Sequence, residues 1–178
     1  MIVPVAEVVS RPMSETVFLA LLIWREARGE PPEAQVAVGY SVMNRVERPS
    51  WWGKSLDEII GKKWQYSSMS APGDPQLILF PKFDSPTWLE AIGIARSVLY
   101  KTETNIVPGA DSYYDDSISA PVWTDKAKFV AKIGKLNFFD VDHDHEAESI
   151  VASVEPHGVS ADFQARLATF LKDGRRNP

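Results

Sequence analysis

Two glutamates four residues apart, Glu26 and Glu30, stand in the stretch WREARGEPPEAQ at positions 24–35. Glu26 comes soon after the apolar run VFLALLIW at 17–24, so a carboxyl group is placed at the edge of what reads as core. An apolar setting raises a carboxyl pKa, whereas a neighbouring arginine, here Arg25, lowers it. A glutamic acid that keeps its proton near neutral pH is suited to protonating the leaving oxygen of a glycosidic bond. Glu30 lies beyond Gly29 near the start of a second helix, where the helix dipole keeps a carboxylate ionised. The two groups thus have the makings of unlike roles. Spacing alone favours a plainer reading: a charged helix–helix turn, with Arg28 paired to Glu30 or to an acidic loop.

The elements that must hold these residues are legible in outline. Ser14 is placed to cap a helix from about Glu15 to Arg28, with Val17–Trp24 apolar on all sides and therefore largely buried. Gly29 suits its C-terminal cap, and Pro31-Pro32 stop it. A second helix is expected from Pro32 to about Val46. Ser55-Leu56-Asp57-Glu58 resembles a capping box for a short helix through Ile60. Residues 67–86 read as a long loop, of the kind that often carries function. Ser85-Pro86 opens a further helix to about Tyr100. After Thr104, NIVPGADSYY, PVW and FVAKIGKLNFFDV read as short extended pieces, with Ile133-Gly134-Lys135 as a bend or hairpin tip. Helices followed by a small β region make an α+β layout.

Composition narrows the function classes. A chain of 178 residues is long enough for one domain with a real core. A net charge of −5 gives no overall basic field for nucleic acid. The absence of cysteine excludes a disulfide scaffold, a zinc–thiolate site and a cysteine nucleophile. No apolar run approaches the roughly 18–20 residues of a membrane span. MIVPVAEVVSRP does not read as a secretory signal.

The stretch EARGEPPEAQVAVGYSVMNRV at 26–46 closely resembles the signature of the SleB/CwlJ-type cell wall hydrolases. Lys63-Trp64-Gln65-Tyr66-Ser67 looks like the family's Gln-aromatic-Ser element, and Gly109-Ala110-Asp111-Ser112-Tyr113-Tyr114 like its Gly-Ala-x-x-aromatic strand. Pro121-Val122-Trp123, then Ile133-Gly134 and Phe138-Phe139, resemble its closing segments. The resemblance spans about 16–140. It implies a lysozyme-like α+β fold, a mainly helical lobe with a small antiparallel β region, and a catalytic domain over 1–140.

The resemblance also implies an activity. Members cleave peptidoglycan glycan strands between N-acetylmuramic acid and N-acetylglucosamine, mainly as lytic transglycosylases, without metal or other cofactor. The family's acid is the first Glu of the EARGE box, Glu26 here. Gln65, Tyr66 and Ser67 are expected to hydrogen-bond substrate, and Tyr113, Tyr114 and Trp123 to offer ring faces to sugars. For these aromatics core packing is the competing reading, and for Gln65 a loop hydrogen bond. Asn44-Arg45 reads as a tie from helix to loop, and Arg28 as structural. A hydrolytic muramidase would need a further carboxylate or a placed water, for which Glu30, Asp111, Asp115 and Asp116 are weak candidates. The family often carries His after Ile-Gly, where this chain has Leu136. A non-catalytic wall-binding or virion module is the rival from another class.

The run Asp140, Asp142, His143, Asp144, His145, Glu146 reads as a solvated acidic loop rather than a metal site. Within the extension 141–178, Ser160 caps an amphipathic helix carrying Phe163, Leu167, Phe170 and Leu171. It is expected to dock on the domain. Its basic residues Arg166, Lys172, Arg175 and Arg176 offer the alternative of a weak contact with an outer-membrane or lipopolysaccharide surface. A single-domain monomer with no leader suits a phage endolysin that accumulates in the host cytoplasm and is released to the cell wall.

Overall fold

The computed structural model describes residues 11–142. Helix α1 spans Met13–Ala27, α2 Pro32–Glu47, α3 Leu56–Gly61, α4 Ser67–Ser70 and α5 Pro86–Leu99. Strands β1 (Ser112–Asp115), β2 (Lys128–Ile133) and β3 (Leu136–Asp140) form an antiparallel sheet in the order β1-β3-β2. This is the expected α+β architecture of a helical lobe with a small sheet. The C-terminal helix expected after Ser160, and the His143–Glu146 run, lie outside the described residues.

The centre of the helical lobe is α2, not α1. Every residue from Ala34 to Arg45 is buried, enclosed by α1, α3, α5 and β2. Small side chains let the neighbours approach: a Cβ on Gly39 would meet Val98 Cγ2 at 3.1 Å and Ile23 Cδ1 at 3.3 Å. The apolar run in α1 predicts a largely buried helix, yet Val17 is exposed and Phe18, Leu21 and Trp24 are only half-buried. Apolar residues all round a helix do not guarantee cover all round it.

Helix ends depart from expectation where side chains act as caps. Helix α1 starts at Met13 behind Pro12, with no hydrogen bond from Ser14 as a cap, and an Arg11–Glu15 pair at 2.9 Å braces its first turn. Gly29 does not take the left-handed conformation. Arg28 closes the helix instead, donating Nη1 to the carbonyls of Trp24 (3.1 Å) and Arg25 (3.3 Å). Its further partner is Gln76 Oε1 at 3.0 Å, not Glu30, and its guanidinium stacks 4.3 Å from the Trp24 ring centroid. Ser55 caps α3 as expected, its Oγ accepting from Glu58 N at 3.3 Å, while Glu58 Oε2 accepts from Lys54 N, one residue before the cap, at 2.7 Å.

The region 67–86 is not one loop. It holds α4 and a 3-10 turn at Pro75–Ile78, capped by Asp74 Oδ1 accepting from Gln76 N at 2.8 Å. PVW is likewise a 3-10 turn, Val122–Lys126, not an extended piece. Pro121 precedes it, and Thr124 Oγ1 donates to the Pro121 carbonyl at 2.7 Å.

The hairpin β2–β3 turns through Gly134 at φ 59°, a left-handed value. Glu30 fills the space beside it: Glu30 Oε2 accepts from Lys135 N at 3.0 Å, and a Cβ on Gly134 would lie 2.5 Å from that oxygen. Glu30 therefore fastens the hairpin tip to the approach of α2. Gly134→Ala is expected to cost about 1–3 kcal/mol, from left-handed strain plus displacement of Glu30, read as a lower midpoint in chemical denaturation.

Candidate active site

Glu26 occupies the last turn of α1 and is half-buried. Two hydroxyl groups meet its carboxyl. Ser68, on α4, donates Oγ to Glu26 Oε1, and Tyr113, on β1, donates its hydroxyl to Glu26 Oε2 at 3.1 Å. Three elements therefore converge on one group. Burial drives the Glu26 pKa up, to about 7 from an ordinary 4.5. The Ser68 and Tyr113 hydrogen bonds favour the carboxylate and hold the rise down, the nearby Asp74 charge adds to it, and Arg25 opposes it.

Arg25 adjoins Glu26 in sequence and favours its charged form, but its hydrogen bonds go to the neighbouring backbone. Its Nη1 donates to Ser68 O at 2.7 Å, and its Nη2 to Leu77 O at 3.2 Å and Leu79 O at 3.1 Å. The guanidinium is thereby spent on backbone carbonyls, which leaves Glu26 free to hold a proton. Tyr113, pushed well above the usual phenol range by burial and by the Glu26 charge, stays a donor.

These opposing influences give a paired test. Ser68→Ala removes a bond that favours the carboxylate, so the Glu26 pKa rises further. Asp74→Asn removes a charge that disfavours it, so the pKa falls. Titration of the Glu26 side chain by carbon-detected NMR in the two variants is expected to move in opposite directions from the wild type.

The other residues singled out in the sequence are placed unevenly. Gln65, Tyr66 and Ser67 are all buried beneath the site. Trp64, at φ 69°, makes the left-handed turn that feeds them inward. With its amide oxygen toward Arg45, Gln65 accepts from Nη1 at 2.6 Å and Nη2 at 3.1 Å. The Arg45 guanidinium lies 5.3 Å from the Tyr66 ring centroid and 5.5 Å from that of Trp52. Arg45 Nε donates to Asp111 O at 2.7 Å, while Asn44 Nδ2 donates to Val107 O at 2.9 Å and Ala110 O at 2.7 Å. Asn44-Arg45 is thus the tie between helix and loop, and Gln65 and Tyr66 belong to the floor it supports.

The pleat separates the two tyrosines of β1. Tyr113 opposes Phe138 across the ladder and faces the helices. Tyr114 falls on the other face, stacked 5.9 Å from Phe139, with Trp123 edge-on to both at 6.2 and 5.5 Å. Tyr114 and Trp123 therefore form an aromatic group away from Glu26.

The remaining carboxylates are engaged elsewhere. Asp111 is buried and accepts from Val141 N, Asp142 N and Ser112 Oγ. Asp115 accepts from Ser117 N at 2.7 Å, and Asp116 pairs with Lys132 and Asn137. Asp140 and Asp142 are not a solvated run: Asp140 pairs with Arg48 at 3.1 Å, and buried Asp142 accepts from Ser50 Oγ at 3.0 Å. Sequence reasoning missed Ser68 and Asp74. A serine one place beyond the recognised Gln-aromatic-Ser element was the available signal for the first; a helix-capping Asp gave none for the second.

A helical lobe and a small antiparallel sheet thus close on one carboxyl group, Glu26, whose pKa burial raises to about 7. The chain belongs to the cell wall hydrolase family, whose model matches residues 29–139 and so begins just after Glu26. The fold is similar to that of the catalytic domain of the germination-specific lytic transglycosylase SleB from Bacillus anthracis, with a TM-score of 0.58, 20% identity, and coverage of 74% of this chain and 98% of that one. It is also similar to the catalytic domain of the Bacillus cereus SleB protein, with a TM-score of 0.54, 21% identity, and coverage of 74% and 93%. No curated protein sequence matches the chain.

Proposed function

We propose that this protein cleaves the β-1,4 bond between N-acetylmuramic acid and N-acetylglucosamine in peptidoglycan, as a lytic transglycosylase with Glu26 as both acid and base. The observation that carries the reading is the Glu26 carboxyl itself, buried enough to hold its proton up to about pH 7 and bonded by two hydroxyl donors.

In the first step protonated Glu26 gives its proton to the glycosidic oxygen as the bond from that oxygen to the muramic acid anomeric carbon breaks. The carboxylate left behind accepts from Ser68 and Tyr113, which stabilise the charge it has just acquired. In the second step Glu26 removes the proton of the muramic acid C6 hydroxyl, and that oxygen bonds to the anomeric carbon, closing a 1,6-anhydro ring. The proton returns to Glu26, so one carboxyl group completes the cycle. Burial and hydrogen bonding pull its pKa in opposite directions and leave it near neutrality, where donating and accepting are both accessible. Glu30, Asp111, Asp115 and Asp116 all have structural partners, which supports the one-carboxyl route over a hydrolytic pair.

Digestion of purified sacculi followed by mass spectrometry tests this. Muramic acid ends lighter by one water are expected; reducing ends would instead establish a muramidase. The alkaline limb of kcat/KM is expected to fall as pH rises through about 7, where free Glu26 loses its proton.

A further inference from the structure

The segment 77–83, LILFPKF, is unusually apolar for a surface loop. Ile78 is 81% exposed, Phe80 73% and Phe83 90%. Exposed apolar groups gathered in one short segment mark a contact surface rather than ordinary surface scatter. The loop is also held in place from the site. Arg25 clamps its backbone at Leu77 O and Leu79 O and lies 5.4 Å from the Phe80 ring centroid. Arg28 holds the preceding turn through Gln76, and Asp74 caps that turn. The same Arg25 binds Ser68 O, and Ser68 hydrogen-bonds Glu26. One guanidinium thus connects the aromatic loop to the acid.

We propose that loop 77–83 is a platform for the sugar rings of the glycan strand, adjoining the bond-cleaving position, with Phe80 and Phe83 presenting ring faces to the apolar faces of the sugars. The proposal rests on the peptidoglycan reading above. Continuity with Glu26 selects this occupant: the side chain that holds the loop at Leu77 and Leu79 also holds Ser68, which donates to Glu26. A clamped backbone also lowers the ordering cost of binding.

Two measurements on the full chain test the platform. Cosedimentation with purified sacculi needs no cleavage: Phe83→Ser, and more strongly Phe80→Ser combined with Phe83→Ser, should weaken binding by about tenfold at unchanged melting temperature. In turnover assays Phe83→Ser should raise KM on long glycan chains while kcat stays within about twofold of wild type. Unaltered cosedimentation and KM would overturn the platform. So would loss of binding to anionic phospholipid vesicles without loss of binding to sacculi, which would assign the loop to a membrane surface. Failure of the parent reading looks different: a wild type that releases no fragments from sacculi, or a Glu26→Gln variant that cleaves normally. Cosedimentation still decides the loop in either case.

Discussion

Glu26→Gln is expected to abolish wall lysis, with turnover lower by about 10²–10⁴, the usual worth of a positioned general acid. The amide keeps the size of the side chain but only one acceptor oxygen, so it can accept from Ser68 or Tyr113 and not from both as the carboxyl does, and it has no acidic proton to give to the glycosidic oxygen. The same change is expected to stabilise the fold at alkaline pH. Below about 4.5 the native and unfolded carboxyls both carry the proton, so burial costs no ionisation penalty. As pH rises the unfolded group ionises first, and stability falls until the native group ionises near 7. The loss approaches about 3 kcal/mol above that pH, and a glutamine avoids it. Thermal melting at pH 4 and pH 8 checks this: the variant should gain on the wild type only at the higher pH. Full turnover by Glu26→Gln would remove the acid from the mechanism.

Arg45→Met is expected to cost about 3–5 kcal/mol of stability, the range found when one member of a buried polar network is deleted. Methionine replaces the volume but strands the Gln65 amide oxygen and the Asp111 carbonyl, and removes the cation beneath the Tyr66 ring. Tyr66 stands immediately before α4, whose Ser68 reaches Glu26, so the damage extends to the site. Equilibrium denaturation should show the loss, with turnover reduced even under conditions where the variant is fully folded. A variant as stable as wild type would mean that the network has repacked without its charge.

Most of the scaffold around Glu26 is legible in the chain because strong local patterns encode it. The EARGE box, the Ser55 cap of α3 and the Pro-initiated helices each depend on neighbours close in sequence. The misreadings concern relations across space. How fully the apolar run of α1 is covered depends on the number of elements around it, a property no single helix records. Tyr113 and Tyr114 are adjacent aromatics in one motif, and only strand register determines which faces the helices. Arg28 reads as paired with Glu30 or an acidic loop, whereas a cap on its own helix and Gln76 claim it. Glu30, a weak candidate for a second carboxylate by spacing, is met by the hairpin tip at Lys135 N, a partner 105 residues along the chain.

The two donors to Glu26 lie 42 and 87 residues further along the chain. Its proton affinity is therefore a gauge of assembly. A molecule with α1 formed but α4 and the sheet undocked would leave this carboxyl in water, ionised at neutral pH and unable to act as an acid. On the proposed mechanism, catalytic competence then depends on the docking of α4 and the sheet, and the titration of one side chain would report the fraction of molecules that have completed it.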